Sequence, residues 1–319
     1  MSSIDTVTAV PAAASRSARA TGRAGQRKPT GHRGFPYLLV LPAVVLLALF
    51  VAAPGIYALI LSLQTRRVSG GLLGTSSETV FAGADNYRAA LSDGTLWSSL
   101  VHMVAMAAIT IPLTIGIALL FALCLDSIRA RLTRFTRLSI FLPYAVPGVI
   151  ATLLWGFLYL PATSPIGGNH VNFFGQVAVF FSVGNVVVWG AVGFNMVVMF
   201  TALRALPSDI YDAARIDGCS ELRIALHVKI PLLRPALLMC ALFTALAALQ
   251  IYNEPNTLRP LANAISTTWV PLMKIYTEAF VDSDVNLAAA TSVLYALAVL
   301  IISVVASRLV ARRSAGWSA

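Results

Sequence analysis

Six stretches of this chain are long and almost wholly apolar: about Tyr37–Leu63, Trp97–Leu125, Leu138–Leu160, Gln176–Leu203, Pro235–Tyr252 and Leu287–Val305. None carries Asp, Glu, Lys or Arg inside its apolar run. A helix needs roughly 20 apolar residues to cross the hydrocarbon core of a bilayer. The pattern therefore predicts an all-α integral membrane protein with six transmembrane helices. Proline recurs within the runs, at Pro42, Pro54, Pro112, Pro143 and Pro147. In water these residues would break helices, whereas in a membrane bundle neighbouring groups re-satisfy the freed backbone. The stretch Leu142-Pro143-Tyr144-Ala145-Val146-Pro147-Gly148 predicts a kink or partial unwinding in the third span. It serves either the packing of a bent helix or a flexible wall beside a translocation path.

The charges lie between the runs, and they are sorted. One alternating set of segments carries Arg16, Arg19, Arg23, Arg27, Lys28 and Arg33, then Arg129, Arg131, Arg134 and Arg137. It continues with Arg204, Arg215, Arg223, Lys229 and Arg234, then Arg308, Arg312 and Arg313. The other set holds Arg66, Arg67, Arg88, Arg259 and Lys274, a split of 18 against 5. The positive-inside rule places the richer set, and with it both termini, in the cytoplasm. This also accounts for the net charge of +10: the cations face an anionic leaflet, and no nucleic-acid partner is implied. Composition agrees, because 11% charged residues falls far below the roughly 25% of soluble domains.

Residues 1–34 are rich in Ala, Ser, Thr and Arg and have little to bury, so they read as a disordered basic cytoplasmic tail. The run that follows is too long for a signal-peptide core and no small-residue cleavage site closes it, so it reads as an uncleaved first span. Residues 35–309 form the six-span domain and 310–319 a C-terminal cytoplasmic tail. Cys124, Cys219 and Cys240 are scattered without metal or disulfide spacing, so they read as small packing residues and no metal site is expected.

The most informative segment is the cytoplasmic loop 204–234, between the fourth and fifth spans. Ser208 follows Pro207 and is placed to cap a helix, with Asp209 and Asp212 near its positive end. The helix runs through Asp217 and stops at Gly218, since glycine takes the left-handed conformation without a Cβ clash. Ser220 is placed to cap a second short helix from Glu221 to about Val228, after which Pro231 and Pro235 turn the chain back to the membrane. Ala213 and Ala214 leave a smooth surface for close approach, and Arg215, Asp217, Glu221, Arg223 and Lys229 suit a wet protein interface.

This loop reads Asp212-Ala213-Ala214, three residues, Gly218, nine residues, then Val228-Lys229-Ile230-Pro231. It resembles the Glu-Ala-Ala loop of permeases of binding-protein-dependent ABC importers, with conservative exchanges at Asp212, Val228 and Ile230. Phe81-Ala82-Gly83-Ala84-Asp85-Asn86-Tyr87 is similar to an outer-loop signature of sugar-importer permeases of the maltose and glycerol-phosphate type. Pro143, Pro147 and Trp155, Gly193-Phe194-Asn195-Met196, Leu203 to Pro207, and Asp284 to Ala290 continue the likeness, which spans about Leu38 to Arg308. Residues 253–276 depart from it, lacking a Gly-Gly-Pro stretch often found there. The resemblance implies a type I ABC importer permease fold whose loop is a coupling helix docked in an ATP-binding subunit. Asp212, Ala213, Ala214, Asp217, Gly218 and Pro231 would contact or shape that dock. It also implies a second, homologous permease subunit, two ATP-binding subunits and an extracytoplasmic solute-binding protein. The cargo it implies is a carbohydrate.

The chain lacks a phosphate-cradling G-x-x-x-x-G-K-[ST] loop and any charged residue in mid-span, where such residues are usually functional. It is therefore expected to have no catalytic residues and no cofactor of its own, with ATP and Mg used by the partner subunits. A sugar path needs hydrogen-bonding groups and aromatic faces in an apolar wall. Trp155, Tyr159, Asn185, Trp189, Asn195, Gln250, Tyr252 and Asn253 are the candidates, although each also suits helix–helix contact or interfacial anchoring. The rival readings are an ion-coupled secondary transporter or channel, a membrane-embedded enzyme, and a structural anchor. For the enzyme, the histidines at 32, 102, 170 and 227 are too scattered to form a site.

Overall fold

A computed structural model describes residues 35–69, 76–127, 132–165 and 171–315. The basic segment 1–34, Arg129, Arg131 and the last four residues lie outside the described residues. The described residues divide into two units, with the boundary between Ala52 and Ala53. In the first, α1 (Phe35–Leu47) runs into a π-helical turn, Ala48–Ala52.

The second unit begins with α2 (Ala53–Ser62), a hairpin of β1 (Gln64–Ser69) and β2 (Ser76–Phe81), and α3 (Asp85–Ser92). The strands pair antiparallel with Gln64 opposite Phe81. The motif Phe81 to Tyr87 explains itself here. Gly83 turns the chain at φ +57. Asn86 donates from Nδ2 to the carbonyls of Ser62 and Gln64, each at 2.8 Å. The hydroxyls of Tyr87 and Ser62 meet at 2.6 Å. The signature thus clamps the end of α2 to the base of the hairpin and satisfies carbonyls that the helix end leaves open.

Long helices follow: α4 (Gly94–Leu125), α7 (Ala178–Arg204) and α14 (Val285–Ala315). Between them lie α5 (Thr133–Phe141), a 3-10 turn Leu142–Ala145 and α6 (Gly148–Tyr159). Four helical stretches among the described residues are long and apolar enough to cross a membrane: Tyr37–Ser62, Gly94–Leu125, Ala178–Arg204 and Val285–Arg308. Two bent pairs raise the number to six if each is one span. The first, Thr133–Ala145 with Gly148–Tyr159, turns by 96°. The break falls where the sequence predicts a kink, but it is a full corner. Pro143 and Pro147 remove backbone donors, and Val146 is extended at ψ 128, so the helical ladder stops and restarts.

The second pair, Glu221–Leu232 with α11 (Arg234–Ala248), bends by 68°. The chain then leaves the helix at Leu249, before the Tyr252 that the apolar pattern suggests. Residues 253–276 fold into α12 (Asn253–Leu258), a compact loop and α13 (Pro271–Tyr276). Leu258, Ala262, Ile265, Trp269, Val270 and Met273 from this stretch join Met106, Val179 and Val183 in one buried cluster. His102 donates from Nδ1 to the Trp269 carbonyl at 3.0 Å and stacks on its ring. The segment that departs from the family pattern is therefore part of the core, and His102 is a satisfied packing residue.

A second cluster joins α4 to α7 and α11 through Ala118, Ala122, Val188, Val192, Met196, Met199 and Cys240. Small residues allow such helices to approach closely. Gly193 shows how closely. A Cβ there would stand 2.8 Å from the Cα of Phe141 and nearer still to the Ile140 carbonyl. At the head of α4, the Asp93 carboxylate accepts from the Thr95 amide at 2.8 Å and pairs with Lys274, which also meets Glu278 at 2.8 Å. Burial opposes ionisation of Asp93, but the hydrogen bonds from Lys274 and Thr95 lower its pKa to about 2. This ties the N-terminal end of α4 to α13.

Candidate functional site: an elbow between helices and a cavity in the bundle

The elbow is α8 (Ser208–Ile216) followed by α9 (Glu221–Ile224), a π turn Ala225–Lys229 and α10 (Ile230–Leu232). Pro207, extended at ψ 133, precedes α8. Ser208 is inside the helix and caps nothing; its hydroxyl faces Asp209 Oδ1 at 3.4 Å. The far end forms as the sequence predicts. Gly218 takes φ +78, its amide donates to Arg215 O and the Cys219 amide to Ala214 O, each at 3.0 Å. These are the paired bonds that close a helix on a left-handed residue. Ser220 Oγ then accepts from the Arg223 amide at 3.4 Å.

Arg215 fixes the angle between the two short helices. It donates to Asp212 at 2.7 Å and to Glu221 at 3.1 Å. Asp212, Ala213, Asp217 and Gly218 are exposed, Ala214 and Pro231 half-buried. Ile216 and Leu222 add apolar surface, 86% and 70% exposed. An exposed Ile and Leu on a polar loop outside the apolar spans make a surface suited to a protein partner.

Lys229 departs from the sequence reading. It is buried rather than on the wet face: its ammonium meets Asp126 Oδ2 at 2.6 Å, with both side chains 5% exposed. Asp126 caps the C-terminus of α4, where the helix dipole disfavours an anion, so the cation offsets two penalties. The ammonium also lies 5.0 Å from the centre of the Tyr211 ring in α8. One side chain thus joins α8, the return helix and the end of α4. Sequence shows Asp126 only as a lone carboxylate ending the second apolar run.

The cavity, about 480 Å³, opens among α4, the 142–148 corner, α6, α7, α11 and the start of α12. Of the path candidates, Asn195, Gln250, Tyr252 and Asn253 line it, with Thr110, Tyr144, Phe194 and Thr244. Tyr144 stacks on Phe194 with centroids 5.2 Å apart and planes at 23°. Thr244 donates to Asn195 Oδ1 at 3.4 Å, and Asn195 Nδ2 to Ala191 O at 3.0 Å.

Trp155, Tyr159, Asn185 and Trp189 do not reach this lining. They form a separate polar and aromatic seam between α6 and α7. Asn185 donates to the Tyr159 hydroxyl at 2.8 Å, which donates to Ser182 O at 3.2 Å. Trp155 lies edge-on to Trp189 at 6.0 Å. Sequence reasoning misses Thr110, Tyr144, Phe194 and Thr244 as lining residues, and it misses the one charged side chain there, Glu254. It follows the fifth apolar run, and its return toward the bundle depends on α12 packing against α6. Among the described residues no three His, Cys, Asp or Glu side chains are grouped to hold a metal ion.

Residues 114–315 match the family model described as "Binding-protein-dependent transport system inner membrane component". The chain is similar to the sn-glycerol-3-phosphate transport system permease protein UgpA of Salmonella typhimurium. That likeness is 30% identity over 293 residues, covering 87% of this chain and 94% of that one. It is likewise 30% identical over 280 residues to the trehalose transport system permease protein SugA of Mycobacterium tuberculosis, covering 85% and 86%. A bacterial ABC transporter involved in the import of the acidic polysaccharide alginate shares the fold, with a TM-score of 0.71 at 16% identity over 87% of this chain and 95% of that one. A bacterial alginate ABC transporter in complex with an alginate pentasaccharide-bound periplasmic protein gives 0.72, again at 16% identity, over 87% and 94%.

Proposed function

The chain belongs to the family of binding-protein-dependent transport system inner membrane components, and we propose that it is one of two permease subunits of an ATP-driven carbohydrate importer. An extracytoplasmic binding protein delivers the sugar, and two ATP-binding subunits, which hold ATP and Mg, dock on the loop 204–234. Each bent helix pair counts as one span, giving six, with both termini cytoplasmic. The 18-to-5 division of cations supports that orientation. Segments 1–34 and 310–319 are cytoplasmic extensions of the six-span domain.

The observation that carries the reading is the construction of the elbow. A solvent-facing helix with exposed Ile216 is braced by Arg215 and fastened beneath by the buried pair of Lys229 and Asp126. A push on such a helix reaches α4 and α11 rather than dissipating in a loose loop. When the ATP-binding subunits close, the elbows of the two permeases move with them and tilt the bundle between inward-open and outward-open forms.

Gly218→Asp tests this. Space is available, since a Cβ at Gly218 meets nothing within 4 Å, and the left-handed backbone costs an Asp about 1 kcal/mol. The permease should insert normally and the complex should hydrolyse ATP, while uptake falls at least about tenfold through the added charge on the dock. Gly218→Asn, which tolerates the same backbone without charge, should retain more uptake. Wild-type uptake in Gly218→Asp would remove the elbow from the mechanism.

An ion-coupled carrier is the second reading, favoured by the Glu254 carboxyl on the cavity wall. It predicts uptake that an ionophore abolishes at constant ATP.

A further inference from the structure

We infer that the cavity admits neutral, hydroxyl-rich sugars and rejects anionic ones, with Glu254 as the residue that sets this discrimination. The inference rests on the carbohydrate reading above and narrows its cargo.

Among the described residues of this chain, the lining contains one carboxyl, Glu254, and no Lys, Arg or His. An anion entering this space meets no compensating cation on this chain's wall, and removing a charge from water without one is strongly unfavourable. The nearest feature that could serve instead is the start of α6, a helix of 12 residues whose preceding Pro147 offers no side-chain cap. Open amides at a helix start attract phosphates and carboxylates. Glu254 stands at that place. A Cβ added to Gly148, the first residue of α6, would lie 3.9 Å from Glu254 Oε1. The protein's own carboxyl lies beside the ground an anionic substrate would need.

The same geometry favours hydroxyls. An ionised carboxylate accepts from two neighbouring O–H groups of a sugar and, being acceptor-only, offers nothing to an anion and repels it. Gln250, Tyr252 and Asn253 stand beside it on the wall, and the stacked Tyr144 and Phe194 offer aromatic faces for a sugar ring.

Sequence identity does not choose between cargoes. The chain is 30% identical both to a permease named for glycerol 3-phosphate and to one named for trehalose. The cavity chooses the neutral class.

The test uses the complete transporter, both permeases with their ATP-binding subunits, in nanodiscs read by native mass spectrometry. One probe is a mixture of short neutral gluco-, manno-, galacto- and xylo-oligosaccharides. The other is a matched mixture of oligouronates and sugar phosphates. Neutral probes should be retained at least about tenfold over anionic ones. Glu254→Gln should narrow that margin by admitting anions, and Glu254→Lys should reverse it. Equal or greater retention of the anionic probes by the wild type, or a margin unmoved in both variants, overturns the inference and leaves the importer reading standing. Retention of neither class, by a complex with intact ATPase activity, overturns the carbohydrate reading and this inference with it.

Discussion

Lys229→Met should destabilise the permease by about 3–5 kcal/mol, the usual penalty for leaving one member of a buried ion pair without its partner. Methionine fills a similar volume, so the loss comes from Asp126 rather than from a cavity. Asp126 would remain 5% exposed at the C-terminal end of α4, facing no cation at 2.6 Å. The Tyr211 ring would also lose the ammonium beside it, a contact worth about 0.5–2 kcal/mol. Thermal unfolding in detergent should show a clear fall in Tm, and ATP-driven uptake should fall with it. Adding Asp126→Leu should recover much of the stability, because an apolar pair of similar size replaces a buried ion pair at little cost. Uptake in the double variant should stay low, since the polar link between elbow and span is gone. If Lys229→Met alone matched the wild type in both Tm and uptake, the pair would have no structural role.

Gly193→Val should be the most damaging apolar change in the bundle. Its Cβ would overlap backbone, not a movable side chain, with the Phe141 Cα at 2.8 Å. Helix α7 can accept it only by separating from the end of α5 and the corner after it. Overpacking of this kind costs typically 1–3 kcal/mol or more. The strain falls on Phe194 and Asn195, which line the cavity, so uptake should suffer beyond the loss of stability. Gly116→Ala is the matched control, because a Cβ there meets nothing within 4 Å. It should gain about 0.5–1 kcal/mol from helix propensity. Both are read by fluorescence-detected unfolding together with uptake at matched protein levels. A Gly193→Val protein as stable as Gly116→Ala would show that the approach of α7 and α5 is looser than described.

What the sequence reveals depends on how local the cause is. Gly218 and Ser220 were legible because a helix stop and a cap are written in adjacent residues. The corner at 142–148 was legible as a break because two prolines four apart remove donors, but its 96° depends on what packs against it. Asn86 and Tyr87 were visible as a motif without a cause, since their partners, Ser62 and Gln64, lie more than twenty residues away. Lys229 was misread for the same reason: counting cations assigns it to the richer set of segments, but only its pairing with a carboxylate 103 residues distant buries it. The path candidates divided along the same line. Asn195, Gln250, Tyr252 and Asn253 reach the cavity, whereas Asn185 and Tyr159 satisfy each other at 2.8 Å. Polarity within an apolar run marks both kinds of residue and does not separate them. Glu254 escaped because it lies outside every apolar run and enters the lining through the fold of residues 253–276.

The central claim is that force from an ATP-binding partner, received at residues 204–234, drives this bundle. Its most direct measurement is uptake by proteoliposomes holding both permeases, the binding protein and the ATP-binding subunits, compared with liposomes lacking those subunits. Uptake should require the subunits and hydrolysable ATP, and should persist when an ionophore collapses ion gradients. Sustained solute accumulation by the permeases alone, or its abolition by the ionophore at constant ATP, would contradict the account.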